Sequence, residues 1–188
     1  MTAFDDGASA VDPSDGQERE VLAWSRFGDA ARELAQQVVD SGWFPDVVVA
    51  VARGGLLPAG AVSYALGVKA MGTMNVEFYT GIAETLTRPV FLPPLMDTAT
   101  LSGKKVLVVD DVADSGRTLA LVMETLRELP GHPPEEVRSA VLYVKPSSVA
   151  DPDYEWKRTD KWITFPWSAL PPVHPDVPQK ETYGKQQA

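Results

Sequence analysis

The chain has 188 residues, 44% apolar and 23% charged, the balance of an ordinary soluble globular protein and enough for one α/β domain rather than two. It has no cysteine, which excludes disulfides, thiolate metal centres and cysteine nucleophiles. Its two histidines, His132 and His174, stand beside prolines outside H-E-x-x-H spacing, which argues against a zinc enzyme. The net charge of −9 and the lack of a basic stripe argue against a nucleic-acid partner. No run approaches the ~20 apolar residues of a membrane span, and the opening lacks a basic-then-apolar signal layout, so a cytoplasmic protein without membrane association is expected.

In chain order, residues 1–20 carry six acids against Arg19 alone and read as a disordered acidic tail, with the folded domain over 21–172. From Ser25 to Val39, apolar residues at Phe27, Ala31, Leu34, Ala35 and Val38 predict a helix with Ser25 as N-cap. The run 46–52, DVVVAVA, is a strand buried on both faces. A Gly-rich turn at 53–55 and a helix from Pro58 to Leu66 follow, then a strand over 73–79. Residues 80–102 lack periodicity and contain Pro89, Pro93 and Pro94. They read as a long loop of the kind that is functional or disordered. KVLVV (105–109) is the next strand, 117–129 the next helix, and SAVLYVK (139–145) a strand again. Strands alternating with helices predict a central, mostly parallel sheet flanked by helices, with a small C-terminal hood over 146–172 and an irregular tail over 173–188.

Ligands of open parallel sheets bind at the carboxyl ends of strands. There, Val106–Val109 runs into Asp110 and Asp111, and Asp114 follows in DSGRT (114–118) at a helix start. The acids could be solvated or could cap the helix, but adjacent Asp110 and Asp111 cannot both do so. A P-loop NTPase also ends an apolar strand in acids, yet G-x-x-x-x-G-K-[ST] is missing, as is G-x-G-x-x-G. Unpaired N–H groups at a helix N-terminus favour an anion; Gly116 permits close approach, and Ser115 and Thr118 add hydroxyls. The upstream carboxylates suit a vicinal diol or hold Mg²⁺. Phosphate and diol together describe a ribose 5-phosphate.

The stretch Val106 to Leu119 resembles the phosphoribosyl-pyrophosphate (PRPP) motif of type I phosphoribosyltransferases. The resemblance implies that fold, with Asp110 and Asp111 on the ribose hydroxyls, Asp111 the better contact for a Mg²⁺ cofactor, and Asp114, Ser115, Gly116, Arg117 and Thr118 around the 5-phosphate. VARGGLLPAG (51–60) is similar to the family's pyrophosphate loop, which implies Arg53 and Gly54 at the leaving group and a cis bond at Ala52–Arg53.

YVKP (143–146) and WITFPW (162–167) resemble segments of one subgroup, the bacterial xanthine–guanine phosphoribosyltransferases, over about Trp24 to Pro172. That implies Lys145 at a purine 6-oxo group, Trp162 stacked on the base, the Ile163 backbone at the 2-position, and Asp114 as catalytic base at N7. Tyr79 and Arg88 would belong to a mobile loop over the site. The implied partners are PRPP and a 6-oxopurine, in a homodimer or homotetramer. Two departures bear on base preference: a longer, more proline-rich loop at 79–101, and Thr164 and Phe165 where the subgroup is more polar. Adenine or pyrimidine transfer, and a PRPP-binding regulator with little catalysis, are the alternatives; Lys145 weighs against adenine, which has no oxygen to receive it.

Overall fold

A computed structural model describes residues 18–76 and 97–173, together with the backbone of 9–11, 77, 80–81, 84–85 and 90–92. In chain order its elements are β1 (Ser9–Val11), β2 (Glu18–Val21), α1 (Trp24–Asp40), β3 (Val47–Ala52), α2 (Leu56–Leu66), β4 (Met71–Glu77), β5 (Thr80–Gly81), β6 (Glu84–Thr85), β7 (Val90–Leu92), β8 (Lys105–Ala113), α3 (Arg117–Arg127), β9 (Glu136–Val144), β10 (Tyr154–Arg158) and β11 (Trp162–Thr164). A 3₁₀ turn, Thr98–Leu101, precedes β8 and is capped by the Asp97 side chain, which accepts from the Ala99 amide at 3.0 Å.

Two units divide the chain. The larger, Gly28–Asp160, contains a six-stranded sheet in the order β10-β9-β8-β3-β4-β7. All neighbouring pairs are parallel except β4 with β7. The parallel core obeys the composition rule for strands covered on both faces: every residue from Val47 to Val51 and from Val106 to Asp110 is buried. Alternation sorts the side chains. Val47, Val49, Val51, Val106 and Val108 share one apolar cluster with Leu119, Val122, Met123 and Leu126 of α3, while α2 lies against β3 and β8.

Some boundaries differ from the sequence expectation. α2 starts at Leu56, ahead of Pro58, because a proline in the first helical turn gives up no helical hydrogen bond. β8 runs on through both acids to Ala113, since β9 supplies partners as far as Ala113↔Val144. Within the expected loop 80–102, β7 adds an antiparallel edge to β4, and β5 pairs with β6. The segment 146–160, expected in the hood, belongs to the larger unit and ends in β10.

The smaller unit comprises, among the described residues, 9–11, 18–27 and 161–173. Its sheet, β1-β2-β11, recruits Glu18, Arg19 and Glu20 out of the stretch expected as a tail; β2 pairs antiparallel with β1 and parallel with β11. Lys161 donates to Glu18 at 2.8 Å, and the Leu22 amide donates to Thr164 at 3.0 Å. An aromatic group packs together around the buried Phe165, which stacks on Trp167 at 4.9 Å, while Trp24 and Phe27 meet Trp167 edge-on. Phe165, one of the departures noted in the sequence, is therefore buried as a packing residue.

At the amino ends of β9 and β10 the larger unit is tied by a polar network. The buried Trp43 indole donates to Glu136 at 2.7 Å, Arg138 sits 4.9 Å from the Trp43 ring centroid, and Arg138 also donates to Glu136 and to the Tyr154 hydroxyl. It lies at the sheet edge opposite to the strand ends that carry the acids.

Candidate active site

The sheet order reverses direction between β3 and β8. From β3 the chain moves outward one way to β4, then returns to place β8 on the other side of β3. Such a switch point leaves a crevice beyond the carboxyl ends of the two strands. Both motifs singled out in the sequence end there, because β3 leads into Arg53–Gly55 and β8 into Asp114–Gly116.

The β3–α2 turn approaches β8 closely. The Ala52–Arg53 peptide bond is cis, and the Arg53 side chain is exposed. Gly54 has no room for a side chain: a Cβ there would fall on the Asp111 carboxylate. A Cβ on Gly55 would meet the carbonyl oxygens of Val51 and Val109 and, at 3.0 Å, the Asp110 Cα. Both glycines thus permit the turn to lie against the acidic strand.

Asp110 is buried at 7% exposure, and Asp111 is half-buried. Burial first, and the Asp111 charge second, push the Asp110 carboxyl well above its ordinary value, although the Asp111 amide donates to Asp110 Oδ1 at 2.9 Å and opposes the shift. Two adjacent carboxylates with one raised in this way suit a cation. Among the described residues no group of three or more acids and histidines converges into a ready-made metal centre. A cation such as Mg²⁺, which keeps several waters and takes one or two carboxylates plus substrate phosphate oxygens, would need no larger cluster than this pair.

β8 gives way to an exposed turn, Asp114 and Ser115, and Gly116 then caps α3 in the left-handed region with φ +73°. Arg117 and Thr118 open the helix, with Arg117 exposed and Thr118 half-buried. Lys145 follows β9 next door. Its amide donates to the Ala113 carbonyl at 3.0 Å, and its ammonium donates to the Asp160 carbonyl at 3.1 Å. Burial lowers the Lys145 pKa, while the charges of Asp114 and Asp160 work in the opposite direction. Asp114 and Lys145 therefore share one electrostatic neighbourhood.

The larger unit thus brings Arg53, Gly54, Asp110, Asp111, residues 114–118 and Lys145 to one end of its sheet. Trp162 and Ile163 lie in the smaller unit on β11, opposite Arg19 and Glu20 of β2; Trp162 is half exposed and Ile163 buried. Tyr79 and Arg88 lie outside the described residues. Sequence reasoning missed the packing of Gly54 on Asp111 and the segment 145–150 behind the 114–116 turn. Only the Gly-Gly pair signalled the first, and nothing in KPSSVA signalled the second.

A parallel sheet with a phosphate-type cradle, a diol-type acid pair and an Arg-Gly-Gly turn at its switch point is the layout of a phosphoribosyltransferase. The chain belongs to the phosphoribosyl transferase domain family, whose model matches residues 17–171. Among curated relatives, the xanthine-guanine phosphoribosyltransferase of Gluconobacter oxydans (strain 621H) is 31% identical over 163 residues, covering 85% of this chain and 90% of the relative. That of Idiomarina loihiensis is 30% identical over 148 residues, covering 78% and 84%. Among solved structures, a purine phosphoribosyltransferase from Pyrococcus horikoshii Ot3 matches with a TM-score of 0.69 at 36% identity, covering 83% of this chain and 97% of that one. The Helicobacter pylori xanthine-guanine-hypoxanthine phosphoribosyltransferase matches at 0.66 and 25% identity, covering 79% and 93%. Among the described residues no helix is long and apolar enough to cross a membrane.

Proposed function

We propose that this phosphoribosyltransferase transfers the 5-phosphoribosyl group of PRPP to N9 of a 6-oxopurine and releases pyrophosphate, a cytoplasmic purine-salvage reaction. The observation that carries the reading is the convergence of the Arg53 turn, the Asp110–Asp111 pair, the 114–118 cradle and Lys145 at one switch point.

The chemistry follows from charge. The bond from C1 of the ribose to the pyrophosphate oxygen breaks, with its electron pair leaving on the pyrophosphate, and the C1–N9 bond forms through an oxocarbenium-like state. Arg53 meets the charge developing on the leaving group. Asp110 and Asp111 accept from the ribose hydroxyls and favour the positive ring while fixing its orientation. Asp111, beside Gly54, is the ligand for Mg²⁺, which supplies Lewis-acid neutralisation of the pyrophosphate when bound. The amides and hydroxyls of 115–118 hold the 5-phosphate. Lys145 donates to the 6-oxo group, and Asp114, near it, takes the proton from N7. Trp162 stacks on the base, and the Ile163 backbone reads its 2-position.

The deciding experiment offers Mg²⁺-PRPP with guanine, xanthine, hypoxanthine, adenine, uracil and orotate separately and measures pyrophosphate release. Release with one or more 6-oxopurines and not with adenine is the expected result. Release only with adenine or a pyrimidine overturns the role of Lys145. Binding of PRPP without turnover on any base favours a regulator.

A homo-oligomer goes with this reading. From Leu56 to Val68 there is no charged residue, and α2 leaves Leu56, Leu57 and Tyr64 exposed, Tyr64 to 91%. On a chain of net charge −9, this uncharged face lets a second copy approach without like-charge repulsion, in a self-complementary two-fold contact. Tyr64→Glu should convert the oligomer to monomer in light scattering, while a monomeric parent protein would contradict the assignment.

A further inference from the structure

The parallel strands β9 and β10 are joined by residues 145–153 alone, without a helix. So short a connection suffices because β10 begins opposite Ala140, midway along β9. The path takes 145–150 across the back of the 114–116 turn. There the Lys145 amide donates to the Ala113 carbonyl and the Val149 amide to the Ser115 carbonyl, each at 3.0 Å.

Ser148 holds that segment in shape. Its amide donates to the Lys145 carbonyl at 3.0 Å, its hydroxyl donates to the Ala150 carbonyl at 2.8 Å, and the Ala150 amide donates back to that hydroxyl at 3.3 Å. A Cβ on Gly116 would land on the Ser148 hydroxyl and against the Ala150 amide, so the two loops touch with no side chain between them. Ala150 is packed in turn against the apolar cluster beneath α3. The cradle thus has a rigid backing fixed to the core.

We infer that Ser148 is a positioning residue for the 5-phosphate: by closing the 148–150 turn against Gly116 it fixes the angle at which the amides of 115–118 meet the phosphate. This rests on the phosphoribosyl reading of the site. Ser148 touches no substrate itself. It acts through the Val149–Ser115 hydrogen bond and the Gly116 contact. The base reaches the same segment only at Lys145, whose amide is anchored independently on Ala113, so loss of Ser148 falls on phosphate affinity rather than base affinity.

The test compares the parent protein with Ser148→Ala and Ser148→Thr, using ribose 5-phosphate, which has no leaving group, as the calorimetric probe. Ser148→Ala should weaken ribose 5-phosphate binding and raise KM for PRPP about 5-fold, the scale of one hydrogen bond lost. kcat and the base KM should stay within about twofold. Ser148→Thr should restore affinity, and amide exchange at Val149 should quicken in the alanine variant alone. Unchanged ribose 5-phosphate affinity despite faster exchange overturns the inference, as does an equal rise in both KM values. If the parent protein itself binds neither ribose 5-phosphate nor PRPP, the phosphoribosyl reading fails and the inference with it, even where exchange at Val149 responds as expected.

Discussion

Gly54→Ala should lower kcat/KM about 100-fold while leaving the melting temperature within about 2 °C of the parent, whereas Gly55→Ala should melt several degrees lower. The two glycines are adjacent, but what stands over each differs. A Cβ on Gly54 meets the end of a side chain, the Asp111 carboxylate, and the protein can relieve the clash by turning Asp111 away. The fold survives, but the carboxylate assigned to the ribose and Mg²⁺ is displaced, and a displacement of about 1 Å at such a group costs on the order of 100-fold. A Cβ on Gly55 meets only backbone, the carbonyl oxygens of Val51 and Val109 and the Asp110 Cα, in strands that are already paired. Its own amide donates to the Val51 carbonyl at 2.9 Å, so the turn cannot shift without loosening β3. A cost of about 2 kcal/mol corresponds to roughly 4–8 °C in a chain of this size. Calorimetric melting together with pyrophosphate release separates the effects; a Gly54→Ala enzyme of normal rate would show that the position of Asp111 is not critical.

Asp110→Asn should do two opposite things: raise the melting temperature of the ligand-free protein by on the order of 3 °C and lower kcat/KM by about 10- to 100-fold. Asp110 is 7% exposed, and burial together with the Asp111 charge raises its pKa above the ordinary 3.8. A carboxyl raised on folding stabilises the fold fully below its unfolded pKa, and that stability is lost as pH rises through the folded value. At neutral pH the parent protein therefore carries an unrelieved cost that asparagine removes. The gain in melting temperature should be absent below about pH 3.8, grow as pH rises above it, and then level off. The loss of rate follows because asparagine keeps the shape but gives up the negative charge assigned to the oxocarbenium-like ribose. Melting curves from pH 3 to 8 check the first part, and steady-state kinetics the second. A variant less stable than its parent at neutral pH would contradict the account.

Elements whose own residues pay a visible preference were legible before the structure. The β-branched runs of β3 and β8 and the helical spacing of α1 needed no partner to be recognised. Elements defined by their neighbours were not. Asp110 and Asp111 are poor strand residues, yet β8 continues through them because β9 offers a full ladder of partners. Glu18–Val21 has three charges in four residues and became a strand only through β1 and β11. β10, Tyr154–Arg158, reads as a charged surface stretch and is held by β9. The site divides the same way. Acids, glycines and Lys145 were proposed from residue type and place in the chain alone. Ser148 and the Gly54–Asp111 contact are facts of three-dimensional approach, with no signature in residue type.

The pairing of β2 with β11 also sets the order in which the protein can be made. Glu18 and Lys161, joined across the small sheet, are 143 residues apart in sequence. At about 5–20 residues per second on the ribosome, β2 waits roughly 7–30 s for β11, long after β3, β8 and their helices can have condensed. The unit carrying Trp162 is therefore the last to close, and the acid pair and its cradle are built before the aromatic strand exists.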